Sequence, residues 1–117
     1  MAKNYDFVLL LDFYGDLLTR QRRDFLEYYY NDDLSLSEIA ENENTTRQCV
    51  YDTLKQGERK LAEYEAKLGL AARFRQISEK AAQIAALTDP LTRHADAEVS
   101  AAALQIRQTA EELKSLG

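Results

Sequence analysis

Apolar residues recur along this chain at helical spacing and fall into blocks separated by polar breaks. Phe7, Leu10, Leu11, Tyr14, Leu17 and Leu18 step by threes and fours, while Asp6, Asp12 and Asp16 mark a wetter side. This predicts a first helix from about Tyr5 to Leu18. Thr19 is placed to cap a second helix, Arg20 to about Asn31, rich in aromatic residues at Phe25, Tyr28, Tyr29 and Tyr30. Asn31-Asp32-Asp33 breaks it. Ser35-Leu36-Ser37-Glu38 then has the form of a capping box: the serine oxygen takes an orphan backbone N–H and the glutamate reaches back to the cap. Ile39 and Ala40 give that short third helix a small inward face. Asn42-Glu43-Asn44 is turn-like, with Asn44 able to adopt the left-handed conformation. Thr45 or Thr46 caps a fourth helix reaching about Leu68.

Heptad spacing begins inside that fourth helix. Val50, Leu54, Gly57, Leu61, Tyr64 and Leu68 step by four and three in alternation. Gly57 lowers helix propensity there but permits close backbone approach. Gly69 marks a break or C-cap. Leu70, Phe74, Ile77, Ala81 and Ile84 repeat the stepping, Thr88-Asp89-Pro90 interrupts it, and Leu91 to His94 forms a short helical turn or a loop. Asp96 is a candidate cap for a last helix carrying Val99, Ala103, Ile106, Ala110 and Leu113. The expected architecture is all-α: a front domain, 1–69, followed by a helical tail, 70–117. The tail is expected to fold on the fourth helix and also to contribute to a homodimer.

Composition narrows the function classes. Four Gly and one Pro in 117 residues suit an all-helical chain, and no stretch alternates apolar and polar residues as a strand would. One Cys excludes an internal disulfide framework and points to a reducing compartment, most simply the cytoplasm. No segment reaches the roughly 18 uncharged apolar residues of a membrane span. One His and one Cys make a metal site unexpected, and no phosphate loop, nucleophile elbow or acid/base pair suggests an enzyme or a cofactor. The net charge of −5 argues against coating nucleic acid through bulk positive charge.

The informative stretch is Leu18 to Leu68, where a short helix, a tight turn and a longer helix follow one another as in a helix-turn-helix. Ala40 is small where the two helices would cross, and Val50 and Leu54 pack back. Thr46, Arg47, Gln48, Tyr51, Asp52 and Lys55 are then left facing out. Arg and Gln can read base edges, and Thr, Tyr and Lys can bind phosphate. The same surface could instead meet a protein or RNA partner, because Asp52 would repel phosphate. Arg20, Arg22 and Arg23 could add phosphate contacts, or serve as ordinary surface charges offset by Asp24 and Glu27. Consecutive Tyr28, Tyr29 and Tyr30 point about 100° apart on a helix, so one stacking platform is excluded, and one or two of them belong in the core.

Leu18-Thr-Arg-Gln-Arg-Arg, Leu36-Ser-Glu-Ile-Ala-Glu and Thr46-Arg47 with Val50 and Leu54 resemble region 4 of bacterial sigma factors. Three blocks are closer still to the YlxM family of small bacterial helix-turn-helix proteins. They are Leu10-Leu-Asp-Phe-Tyr-Gly-Asp-Leu-Leu-Thr, Tyr28-Tyr-Tyr-Asn-Asp-Asp-Leu-Ser-Leu-Ser-Glu-Ile-Ala-Glu and Thr46-Arg-Gln-Cys-Val-Tyr-Asp-Thr-Leu-Lys. The likeness covers about residues 5–70. The chain departs at Thr46 and Cys49, where the family usually carries Ser and Ala, and both replacements are small. The resemblance implies a non-enzymatic protein with a regulatory or accessory role in the signal recognition particle pathway, partnered by components of that particle. The alternative it leaves open is a sequence-specific DNA-binding regulator.

Overall fold

The computed structural model describes residues 3–116 and contains helices, turns and no strand among them. The chain divides into two compact units, the first ending at Ala71 and the second beginning at Ala72. In the first, α1 (Asp6–Tyr14) runs into a 3₁₀ turn, Gly15–Leu17. Thr19 starts α2 (Arg20–Leu26) by accepting the Arg22 N–H on its hydroxyl. The helix widens into a π turn over Glu27–Asn31, and Asp33 ends it with a positive φ of 56°.

The capping box forms as the sequence suggests: the Ser35 hydroxyl accepts the Glu38 N–H and the Glu38 carboxylate accepts the Ser35 N–H, opening α3 (Leu36–Asn42). Asn44 takes φ 54°, the Thr45 N–H donates to the Ala40 carbonyl, and the Asn44 N–H donates to Glu41. This is a Schellman ending with asparagine in the left-handed position. Thr46 caps α4 (Arg47–Leu68) by accepting the Cys49 N–H at 3.0 Å.

One core joins these helices. Leu11 and Tyr14 of α1, Phe25 and Leu26 of α2, Tyr29 and Tyr30 of the π turn, and Ile39 of α3 close around Val50, Leu54 and Leu61 of α4. Burying side chains of this size stabilises by roughly 1.5–3 kcal/mol each. Gly57 lets α2 lie close against α4: a Cβ there would stand 2.7 Å from Leu26 Cδ1, and Leu26 is itself fully buried. Tyr64 is half-buried, and Leu68 is 55% exposed. The buried seam of α4 therefore stops a turn before its heptad pattern does.

The end of α4 is pinned by polar groups. Gly69, at φ 63°, caps the helix and turns the chain. The Tyr14 hydroxyl donates to Glu65 Oε1 at 2.6 Å and accepts the Leu70 N–H, while the same carboxylate oxygen accepts the Ala71 N–H. Two otherwise orphan donors of the next helix are thereby satisfied.

α5 (Leu70–Thr88) begins at that junction. A 3₁₀ turn, Asp89–Arg93, carries Pro90 in its first turn. α6 (Ala97–Ser115) is capped by Asp96, whose carboxylate accepts the Glu98 and Val99 N–H groups. Arg107 reaches Asp89 at 3.0 Å and ties α6 to the turn. Here the expected seams need correction. On α5 the buried or half-buried stripe is Ala71, Phe74, Ser78, Ala81, Ala85 and Thr88; Leu70, Ile77 and Ile84 are exposed. On α6 only Ala103 and Ala110 of the expected stripe are buried. Small side chains permit the closest helix approach, so they occupy the inner line and the larger aliphatics are displaced to its edge.

Candidate functional site

The outward surface of the α3–turn–α4 motif is set by its inward one. Leu36, Ile39 and Ala40 from α3 and Val50 and Leu54 from α4 are buried together, which fixes the rotation of α4 about its axis. Arg47, Gln48, Tyr51 and Asp52 then face solvent, with Lys55 half-buried beside them.

These side chains differ in how far they are engaged within the molecule. The Thr46 hydroxyl is committed to its capping bond. Gln48 Nε2 donates to Asp52 Oδ1 at 3.0 Å, one helical turn on. Lys55 lies 3.7 Å from the Glu58 carboxylate and 5.7 Å from the centre of the Tyr51 ring, within cation–π range. Tyr51 remains 38% exposed. Tyr51 makes only that ring contact, and Arg47, in the first turn of α4, makes no side-chain hydrogen bond, ion pair or ring contact among the described residues. It borders two shallow surface depressions: one shared with Leu36, Gln48 and Tyr51, the other with Lys3, Tyr29, Asp33, Ser35 and Glu38.

Lys3 and Asp33 were not legible as part of this surface. They form an ion pair across 30 residues of sequence, and Lys3 Nζ sits 4.6 Å from the centre of the Tyr29 ring. Their mutual hydrogen bond raises the lysine pKa and lowers that of the aspartate. Periodicity carries no signal for such a long-range pair.

The α2 arginines form a separate group. Arg22 Nη2 donates to Gln56 Oε1 at 3.2 Å, Arg23 meets Asp16 at 3.2 Å, and Arg20 lies 3.8 Å from Asp24. Gln56 is about 13 Å along the α4 axis from Arg47, at 1.5 Å per residue. The motif therefore does not gather Arg20, Arg22 and Arg23 around Arg47 as one basic patch.

Two of the three consecutive tyrosines, Tyr29 and Tyr30, are buried and Tyr28 is half-exposed, so the three do not form one stacking platform. The Tyr30 hydroxyl donates to Glu58 Oε1 at 3.1 Å, in the core. Burial, and then the charge on Glu58, push the phenol pKa well above its usual 10.0. Cys49 is half-buried and free. Among the described residues no group of three His, Cys, Asp or Glu is placed to hold a metal ion, and no helix is long and apolar enough to cross a membrane.

Comparison with known proteins agrees with this geometry. The family model described as "Putative helix-turn-helix protein, YlxM / p13 like" matches residues 1–102. The chain belongs to this family. The match runs past residue 70, so it includes α5 and the start of α6 as well as the three blocks quoted above. A UPF0122 protein of Desulforamulus reducens is 52% identical over 81 residues, covering 69% of each chain. One from Limosilactobacillus reuteri is 50% identical over 84 residues, 72% of this chain and 74% of its own. One from Clostridium kluyveri is 46% identical over 91 residues, 78% and 82%. The family's helix-turn-helix description accords with the α3–turn–α4 arrangement.

Proposed function

We propose that this chain is a non-enzymatic regulatory or accessory protein of the signal recognition particle pathway, docking on a particle component through the exposed first turns of α4. The observation that carries this reading is Arg47: an unpaired guanidinium beside an exposed tyrosine on a helix whose rotation and start are fixed by buried packing and a cap. Charge supports a protein partner over a nucleic acid. Between residues 31 and 55, Asp32, Asp33, Glu38, Glu41, Glu43 and Asp52 are exposed, against Arg47 and Lys55. Phosphate would meet that rim at an electrostatic cost, whereas a basic protein surface would be drawn to it.

Capture from lysate with tagged protein, with and without nuclease, tests the reading. Recovery of the targeting GTPase in both samples is expected, with loss of that recovery for Arg47→Ala. Recovery of neither the GTPase nor its RNA would refute it.

A second reading, a sequence-specific DNA-binding regulator, is favoured by the placement of Arg47 and Gln48 in the first turn of the motif's second helix, where base contacts are made. It requires a duplex whose affinity falls steeply with salt and whose preference Arg47→Ala abolishes. Weak, uniform binding across genomic fragments would contradict it.

A further inference from the structure

The second unit turns its largest aliphatic side chains outward. Ala81, Ala103 and Ala110 are buried, while Ile77, Ile84, Ile106 and Leu113 are each 39–48% exposed. Ile84, Ile106 and Leu113 line one open groove of about 710 Å³, so the exposed stripes of α5 and α6 share a face. At 100° per residue, Arg73 and Lys80 flank the α5 stripe on the side away from its buried line, and Glu98 and Glu112 flank the α6 stripe likewise. None of these four side chains has an ion-pair partner among the described residues. One helix thus presents an apolar stripe with a free basic edge, and the other an apolar stripe with a free acidic edge.

We infer that this face binds a second copy of the chain, with α5 of each protomer lying antiparallel along α6 of its partner in a four-helix arrangement. Charge selects this pairing. Two such faces can stack about a two-fold axis with like helices together or with α5 on α6. The first sets Arg73 and Lys80 against their own copies; the second sets a basic edge against an acidic one and repeats the match by symmetry. Because Ile84 shares its groove with Ile106 and Leu113, Lys80, one turn before Ile84, falls at the height of the partner's Glu112. The heptad stepping of both helices suits the resulting seam.

Sedimentation equilibrium on the full chain across a concentration series tests this, with circular dichroism to confirm helicity. A mass of twice 13.4 kDa is expected. Ile106→Asp should weaken the dimer by about a hundredfold. Lys80→Glu and Glu112→Lys, both on exposed surface, should each weaken it by about two- to fivefold, and the double charge swap should restore it. A mass of 13.4 kDa throughout would overturn the inference. So would a dimer indifferent to all three changes, or one that the double swap fails to restore.

Discussion

Arg47 and Tyr30 show how differently two polar side chains of one small unit are employed. The Arg47 side chain makes no hydrogen bond or ion pair among the described residues, so its removal should leave the fold alone: Arg47→Ala is expected to change unfolding free energy by no more than about 0.5 kcal/mol, measured by urea titration. Tyr30 is the opposite case, with its hydroxyl held to Glu58 in the core and its pKa raised. The fold therefore favours the protonated phenol. Below the ordinary value of 10.0 both folded and unfolded chains keep that proton, and stability does not depend on it. As pH rises through 10, the unfolded chain releases it first, and stability falls until the folded-state pKa is passed. Urea midpoints should decline above about pH 10, and less steeply in Tyr30→Phe. A decline of equal slope in that variant would refute the assignment.

The helices are organised by their ends and by one close crossing. Asn44 carries the turn between α3 and α4 with a positive φ, which a β-branched residue resists. Asn44→Val should cost about 1–2 kcal/mol and Asn44→Gly close to nothing, a contrast that thermal unfolding resolves. At Gly57, alanine gains about 1 kcal/mol of helix propensity but forces a methyl into Leu26, an overpacking cost of about 1–3 kcal/mol. Gly57→Ala should therefore be neutral to destabilising alone, and relatively favourable on a Leu26→Ala background, where the clash is gone. Additive effects would contradict that coupling.

These same ends explain what the sequence could disclose. Ser35, Asn44, Thr46, Gly69 and Asp96 act through near neighbours, so their roles are readable from local pattern alone. The outward set at Arg47, Gln48 and Tyr51 follows from the burial of Val50 and Leu54 and is equally readable. Pairings across the chain are not: Tyr14 with Glu65, Tyr30 with Glu58, and Lys3 with Asp33 depend on how helices cross. The tail misleads for another reason. Its stripe mixes alanine with isoleucine and leucine at equivalent heptad positions, and periodicity cannot tell which of them lies on the line of closest approach.

At the scale of the whole molecule, charge changes the meaning of the motif. Residues 1–60 carry 8 basic and 12 acidic side chains, so the helix-turn-helix lies in the more acidic half. The α2 arginines meet Gln56, Asp16 and Asp24, and among the described residues Arg47 is the cation in the first turn of α4 that makes no hydrogen bond or ion pair. On the proposed reading, a surface this narrow has one side chain dominate binding. Titration of the full chain against purified targeting GTPase, with and without its RNA, and against duplex DNA, tests this most directly. Saturable binding to the GTPase is expected, weakened at least tenfold by Arg47→Ala, with only weak, sequence-indifferent binding to DNA. Binding that Arg47→Ala leaves unchanged, or no binding to the GTPase or its RNA, would contradict the account.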